Sequence, residues 1–280
     1  MRKRTFIFGC FLFLLLSLCN SSNYRSFYNI SLEIDATTVN CFAQDVQGMM
    51  WMGTNQGLYS YDGYSSKHHG GERQRVQIYC IHIVSDSLFY LGTDNGVLIY
   101  DYTRDVYVSD EVEFPRDVRT IEQKGNSLWI GSLNGLYTYD LNKQTLKRIG
   151  EKSANKLPNT TIYALKQVEN KSLYIGTYNG LFIYNEFSDL FESIVLPSVD
   201  SNRNVFVNTL LEDSNTGSLW VGTEGELFRY SFNTKHVVSI PLFHGNSIKS
   251  LAFDSTGQLL IGTDNGLFIY NIQEEKIDHI

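Results

Sequence analysis

The side chains best suited to chemistry in this chain are of a kind that grips rather than cuts. Tyr178 and Asn179 stand together in one turn, Arg203 falls in a loop further on, and Arg73, Arg119 and His244 occupy comparable loops. A planar ring can lie against the face of a flat ligand, while amide, guanidinium and imidazole groups bond the oxygens around it. These six residues are the candidate ligand-binding set. The competing explanation is that turn Asn and Asp residues serve backbone geometry alone and that loop arginines are merely solvated. Bond breaking has less behind it. The acid pairs Asp110-Glu111 and Glu274-Glu275 lie in stretches that read as exposed, whereas a two-carboxylate hydrolase must hold its acids across a cleft. No Ser has a nucleophile-elbow pattern, and no Cys/His spacing fits zinc. His68 and His69 stand in a Gly-rich stretch and read as solvated. The chain is therefore read as non-enzymatic, with no metal and no cofactor.

The elements that must position these residues are announced by a repeat. One pattern occurs six times: WMGTNQGLYSY (51–61), YLGTDNGVLIY (90–100), WIGSLNGLYTY (129–139), YIGTYNGLFIY (174–184), WVGTEGELFRY (220–230) and LIGTDNGLFIY (260–270). A period of about 40–45 residues is the range of propeller blades. Within each copy a short β-rich run meets a Gly, a turn follows, and an aromatic-rich run returns. Asn-Gly tolerates the positive φ that a tight hairpin requires. The fifth copy, with Glu224-Gly225-Glu226, moves its glycine back one place and predicts a different turn. Each hairpin has a candidate strand before it, such as 161–168 or 248–253, and one after it, such as 145–149 or 235–240. Four strands per unit make a blade, and blades bury their faces only by stacking. The fold predicted is all-β, a propeller of six four-stranded blades over residues 23–280. The tyrosine that ends every copy (Tyr61, Tyr100, Tyr139, Tyr184, Tyr230, Tyr270) is assigned to packing between blades.

Residues 1–22 read as a signal peptide. Arg2, Lys3 and Arg4 form a charged start, Thr5 to Cys19 an apolar run too short to span a bilayer, and Asn20, Ser21 and Ser22 a small polar exit. An uncleaved anchor and a lipid attachment at Cys19 are the alternatives. Leu18 is bulkier than lipid processing favours. No later segment is apolar enough to cross a membrane, so a periplasmic location is expected. The formal charge of −7 becomes −10 without Arg2, Lys3 and Arg4. So acidic a body, with no basic block, argues against nucleic acid as a partner. Of the cysteines only Cys41 and Cys80 survive cleavage. Export permits a disulfide, but neighbouring inner strands of a propeller sit too far apart for one, so both are read as small buried hydrophobes.

The repeat W-[IVM]-G-T-x-x-G-L-x-x-Y, preceded by a D-x-x-G turn (Asp45 to Gly48 in the first copy), resembles the two-component regulator propeller repeat. The opening from Ser26 to Gly63 is similar to the start of the extracytoplasmic sensor of hybrid two-component histidine kinases. That resemblance implies a sensor of glycan fragments, with an oligosaccharide or other small ligand as partner. It also implies a second propeller, a kinase and a DNA-binding part that this chain lacks, so the chain is expected to be a truncated N-terminal sensor fragment. A homodimer, or the missing sensor portion, is the expected protein partner. A free-standing scaffold propeller and a glycan-cleaving propeller enzyme are the alternative readings. One more expectation concerns the ring. Residues 24–34 read as a strand, yet the sixth unit already has its own fourth strand in 275–280. An orphan strand beside six complete blades points to an incomplete seven-bladed ring.

Overall fold

In a computed structural model the described residues form β-strands joined by short turns, with a single 3-10 turn among them at Pro241–Phe243. The structure describes residues 32–280 apart from 71–75, 86, 109–111, 151–155, 159, 169–171, 198–204 and 244. The expected signal peptide and most of the expected orphan strand lie outside the described residues. The first blade comprises β1 (Val39–Gln44), β2 (Met50–Thr54), β3 (Gly57–Tyr61) and β4 (Ser66–His69). The second comprises β5 (Ile78–Ile83), β6 (Leu88–Thr93), β7 (Gly96–Asp101) and β8 (Val106–Val108). The third comprises β9 (Val118–Lys124), β10 (Ser127–Ser132), β11 (Gly135–Asp140) and β12 (Thr145–Arg148). The fourth comprises β13 (Ile162–Gln167), β14 (Leu173–Thr177), β15 (Gly180–Asn185) and β16 (Leu190–Ile194). The fifth comprises β17 (Val207–Asp213), β18 (Ser218–Thr223), β19 (Leu227–Ser231) and β20 (Val237–Ile240). The sixth comprises β21 (Ile248–Phe253), β22 (Leu259–Thr263), β23 (Gly266–Asn271) and β24 (Lys276–His279). Each blade is one antiparallel meander, and the first strands of successive blades pack on one another. The result is the six-bladed propeller expected from the repeat, with the sixth blade supplying its own fourth strand.

The core is divided among the junctions. One buried cluster lies at each of the five contacts between consecutive blades. Trp51, Leu58, Ile78 and Phe89 hold the first to the second, and Trp220, Leu227, Ile248 and Ile261 hold the fifth to the sixth. Five of the six repeat tyrosines belong to these clusters, while Tyr61 is half-buried and in none of them. Tyr100, Tyr139, Tyr184, Tyr230 and Tyr270 are all at most 5% exposed. Packing between blades is the role of these five, as expected, and Tyr61 departs from it.

The hairpins differ from expectation in one detail. The positive φ falls on the glycine (Gly57, Gly96, Gly135, Gly180, Gly266) and not on the Asn, or in the first copy Gln56, before it. The residue ending the second strand explains why the Asn can stay ordinary. The Thr177 hydroxyl accepts from the Asn179 N–H at 3.0 Å and donates to the Gly180 carbonyl at 3.0 Å, which braces the turn from inside. The same brace to the carbonyl recurs at Thr54, Thr93, Ser132, Thr223 and Thr263. The fifth turn does differ. There Gly225 carries the positive φ and Glu226 occupies the position that glycine holds elsewhere. In the first blade the D-x-x-G turn has a packing purpose. Asp45 accepts the N–H groups of Gln47 and Met49 with one oxygen and the Trp51 indole N–H, at 2.9 Å, with the other.

Candidate functional site

Two repeated features build one face of the propeller. In every blade the first residue of the hairpin turn donates its N–H to the carbonyl just ahead of the first strand: Asn55 to Thr38, Asp94 to Gln77, Leu133 to Asp117, Tyr178 to Thr161, Glu224 to Phe206 and Asp264 to Ser247. Hairpin tips and strand entries therefore share a face. Each first strand also carries a register shift against the second, which leaves one residue unpaired: Asn40, Tyr79, Arg119, Tyr163, Asn208 and Lys249. A bulge of this kind re-aims its side chain. Most of these side chains reach the neighbouring blade at the face. Asn40 donates to the Ile78 carbonyl at 2.8 Å, and Asn208 donates to the Ile248 carbonyl at 2.9 Å.

The larger bulge residues make two candidate contacts. In one, Tyr163 lies 4.3 Å, centroid to centroid, from Phe206, which in turn lies 5.4 Å from Tyr178. Tyr178 is 48% exposed, and Tyr163 and Phe206 are half-buried. The three tilted rings form an aromatic platform between the fourth and fifth blades, with exposed Asn179 beside it. In the other, the Arg119 guanidinium lies 3.6 Å above the Tyr79 ring, a cation–π contact, and its Nη2 stands 3.5 Å from Asp117 Oδ1. Arg119 Nε and nearby-turn Asp94 Oδ1 are buried with no protein partner among the described residues. Burial raises the Tyr79 phenol, against the opposing pull of Arg119.

The structure thus places Tyr178, Asn179 and Arg119 on the face expected for them, with Tyr178 and Arg119 in different contacts. Arg73, Arg203 and His244 lie outside the described residues. Sequence reasoning passed over Tyr79, Tyr163 and Phe206. For Tyr79 and Tyr163 the signal was available in aligning the repeats: the bulge residues stand 12 to 14 places before the first glycine of each. Elsewhere, a cleft between the third and fourth blades is lined by Arg148, Lys156, Leu157 and Phe191, none of them a candidate.

The largest correction concerns His69, read as solvated and found 6% exposed. Its Nε2 meets the Ser60 hydroxyl at 2.8 Å, and its Nδ1 meets Asp105 Oδ1 at 3.0 Å. Tyr100 donates to the same Asp105 oxygen at 2.7 Å, and Lys67 pairs with the other at 2.6 Å. The order Ser–His–Asp is that of a hydrolase relay. Here it is sealed: Ser60 is 6% exposed, and Trp51 and Tyr100 pack on the imidazole. The relay ties the outer strands of the first blade to the β7–β8 turn. Bonds from Lys67 and Tyr100 hold the Asp105 carboxyl well below its usual range, while burial lowers His69. Cys41 and Cys80 are free. Burial pushes the Cys41 thiol up to about 12 and raises Cys80 further. Among the described residues no cluster of His, Cys, Asp or Glu could hold a metal, and no helix is long and apolar enough to cross a membrane.

Residues 33–56 match the two component regulator propeller family. No curated protein matches the sequence. Among solved structures the chain is similar to the extracellular domain of BT4673 from B. thetaiotaomicron, described as a hybrid two component system. The identity is 47% and the TM-score 0.87, over 92% of this chain and 35% of that one. The corresponding domain of BT3049 from the same organism is 22% identical, with a TM-score of 0.74 over 88% of this chain and 35% of that one, and bears on the fold alone. The chain thus spans about a third of the length of these structures. Repeat, fold and similarity agree: the chain carries the two-component regulator propeller repeat, and its propeller is similar to part of the extracellular domain of BT4673.

Proposed function

We propose that this propeller is a non-catalytic, ligand-sensing part of a periplasmic sensor of the hybrid two-component type. Its ligand is an oligosaccharide, received on the face of hairpin tips and strand entries. The observation that carries this reading is the half-exposed platform of Tyr163, Phe206 and Tyr178 with Asn179 at its edge. Sugar rings present flat C–H faces to aromatic carbon and hydroxyls to amides, and such sites are apolar surfaces with a few placed polar groups. The 47% identity to an extracellular sensor domain supports the sensing role. Kinase and DNA-binding steps belong, in this reading, to parts beyond these 280 residues. Titration calorimetry with a panel of glycan fragments tests it. At least one fragment should bind, and Tyr178→Ala or Phe206→Ala should weaken it about tenfold, a loss of about 1.4 kcal/mol. Tyr64→Ala, at a site 96% exposed, should not. Product formation from any fragment, or binding indifferent to Tyr178 and Phe206, would overturn the assignment.

A further inference from the structure

In five blades a residue in the left-handed region stands five places after the repeat tyrosine, in the turn between the third and fourth strands. These are Asp105, Gln144, Asp189, Lys235 and Glu275, with φ between 52° and 60°. The shared backbone sends each side chain out from the same place. Four of the five can accept a hydrogen bond, and two visibly take it from the tyrosine. Tyr100 donates to Asp105 at 2.7 Å, and Tyr184 donates to Asp189 at 2.8 Å. Both rings are at most 5% exposed, so the hydroxyl needs such a partner. The fifth blade puts a cation there instead. Lys235 can only donate, and its Nζ stands 6.0 Å from the centroid of the Tyr230 ring.

The junction with the blade before it has its charges reversed as well. Between the first and second blades, Lys67 of β4 meets Asp105 at 2.6 Å. Lys67 lies opposite Ser60, and Glu192 of β16 lies opposite Ile183, which is the same position in its own blade. Glu192 and Lys235 thus stand where Lys67 and Asp105 stand. The swapped pair does not close, for no carboxylate among the described residues lies within 4 Å of the Lys235 ammonium. A cavity of about 560 Å³ opens there, walled by Ile183, Ile194, Tyr230 and Val237 together with Glu192 and Lys235. A second, of about 330 Å³, shares Ile183, Glu192 and Lys235 and adds Tyr174. Burial raises the Tyr174 phenol, and Tyr230 adds to this as the group that accepts its hydrogen. The hydrogen of Tyr230 itself then lacks the carboxylate that Tyr100 and Tyr184 have.

We infer that the flank between the fourth and fifth blades binds a small monocarboxylate with an apolar body. The ligand carboxylate fills the place that Asp105 and Asp189 fill in their own blades. It accepts from the Tyr230 hydroxyl and from the Lys235 ammonium, and a charge-assisted bond of that kind is the stronger sort. The apolar body lies against Ile183, Ile194 and Val237. Glu192 on the same wall repels a second negative charge, so a diacid is rejected. A free organic acid and the C-terminus of an apolar peptide present this same chemistry. The site is separate from the aromatic platform, because it is built from outer strands and from the turn at the end of β19 away from the hairpin tips.

Calorimetric titration tests this with octanoate, octanamide, the diacid suberate, and the dipeptide N-acetyl-Ala-Leu as free acid and as amide. Octanoate should bind at least about tenfold more tightly than octanamide or suberate. If the dipeptide acid binds more tightly than octanoate, and its amide does not, the site is assigned to peptide termini. Lys235→Met should weaken the carboxylate at least about tenfold. Lys235→Asp should abolish binding and raise the melting point by about 2 °C, since Tyr230 regains the partner its counterparts have. Glu192→Gln should let suberate bind about as well as octanoate and leave the melting point within about 1 °C of the parent. No binding of octanoate or dipeptide acid up to about 10 mM would overturn the assignment, as would binding that Lys235→Met leaves unchanged. It is overturned too if Glu192→Gln and Lys235→Met each lower the melting point by more than about 3 °C, for the two would then be a structural ion pair.

Discussion

Val207 lies over Gly176 so closely that a Cβ on the glycine would stand 2.6 Å from the valine Cγ1 and 3.2 Å from Ala164 Cβ. Two blades meet there with no space for a methyl group. Val207 is 0% exposed and β-branched, so it cannot swing aside cheaply. Gly176→Ala is therefore expected to cost about 2–3 kcal/mol through overpacking. Pairing it with Val207→Ala should return a good part of that loss, and denaturant melts of the two single variants and the double variant measure it. Additive losses would show that the glycine is retained for some reason other than this contact.

What the sequence made legible was whatever repeats locally. Six hairpins, four strands per unit, the odd turn at Gly225 and the packing of the tyrosines all follow from spacing and residue type. Tyr178 was found because it is an aromatic ring on a hairpin turn, beside Asn179. Tyr163 and Phe206 were passed over because they belong to a bulge and a strand entry, and a bulge is a relation between two strands. The Ser60–His69–Asp105 relay was hidden for a related reason. Asp105 comes from the next blade, 36 residues beyond His69, and the Gly-rich flank of His69 argued for exposure. The brace from Thr177, which relieves Asn179 of a positive φ, is a side-chain bond that no spacing announces.

The relay predicts an acid-sensitive junction. His69 has its folded pKa lowered, by burial above all. Protons then favour the unfolded chain once the pH falls below the unfolded value of about 6.5, and that loss is complete below the folded value. Asp105 has its folded pKa lowered by bonds from Lys67 and Tyr100. Its stabilisation is present above about pH 4 and is lost as pH falls through the folded value. Melting temperature should therefore drop between pH 7 and 5 and drop again below 4. In His69→Gln the first drop should be smaller than in the parent, and equal slopes in the two proteins would reject the account.

The thiols give a kinetic prediction. A thiolate is the reactive form, and burial disfavours it at both positions. In protein lacking residues 1–22, iodoacetamide at pH 8 should label Cys41 and Cys80 about a thousandfold more slowly than after unfolding in guanidinium. Mass spectrometry counts the adducts. Rapid labelling of either residue in the folded protein would show that its inner strand opens locally. Resistance to label after unfolding without reductant would reveal a disulfide.

Arg119 and Tyr79 offer a test of the binding face that needs no ligand. The guanidinium carbon lies 3.6 Å from the ring centroid, and a planar cation keeps such a contact where an ammonium keeps less of it. Tyr79→Phe should stay within about 0.5 kcal/mol of the parent, because the ring face survives. Tyr79→Ala and Arg119→Ala should each destabilise, and a double-mutant cycle should return a coupling of about 0.5–1 kcal/mol, reduced in 1 M salt only modestly because the pair is half-buried. Arg119→Lys should recover less than half of that coupling. A coupling near zero would mean that the two side chains are merely neighbours, each held by its own blade. In that case Arg119 would be free to turn its unpartnered Nε toward a ligand without giving up the ring.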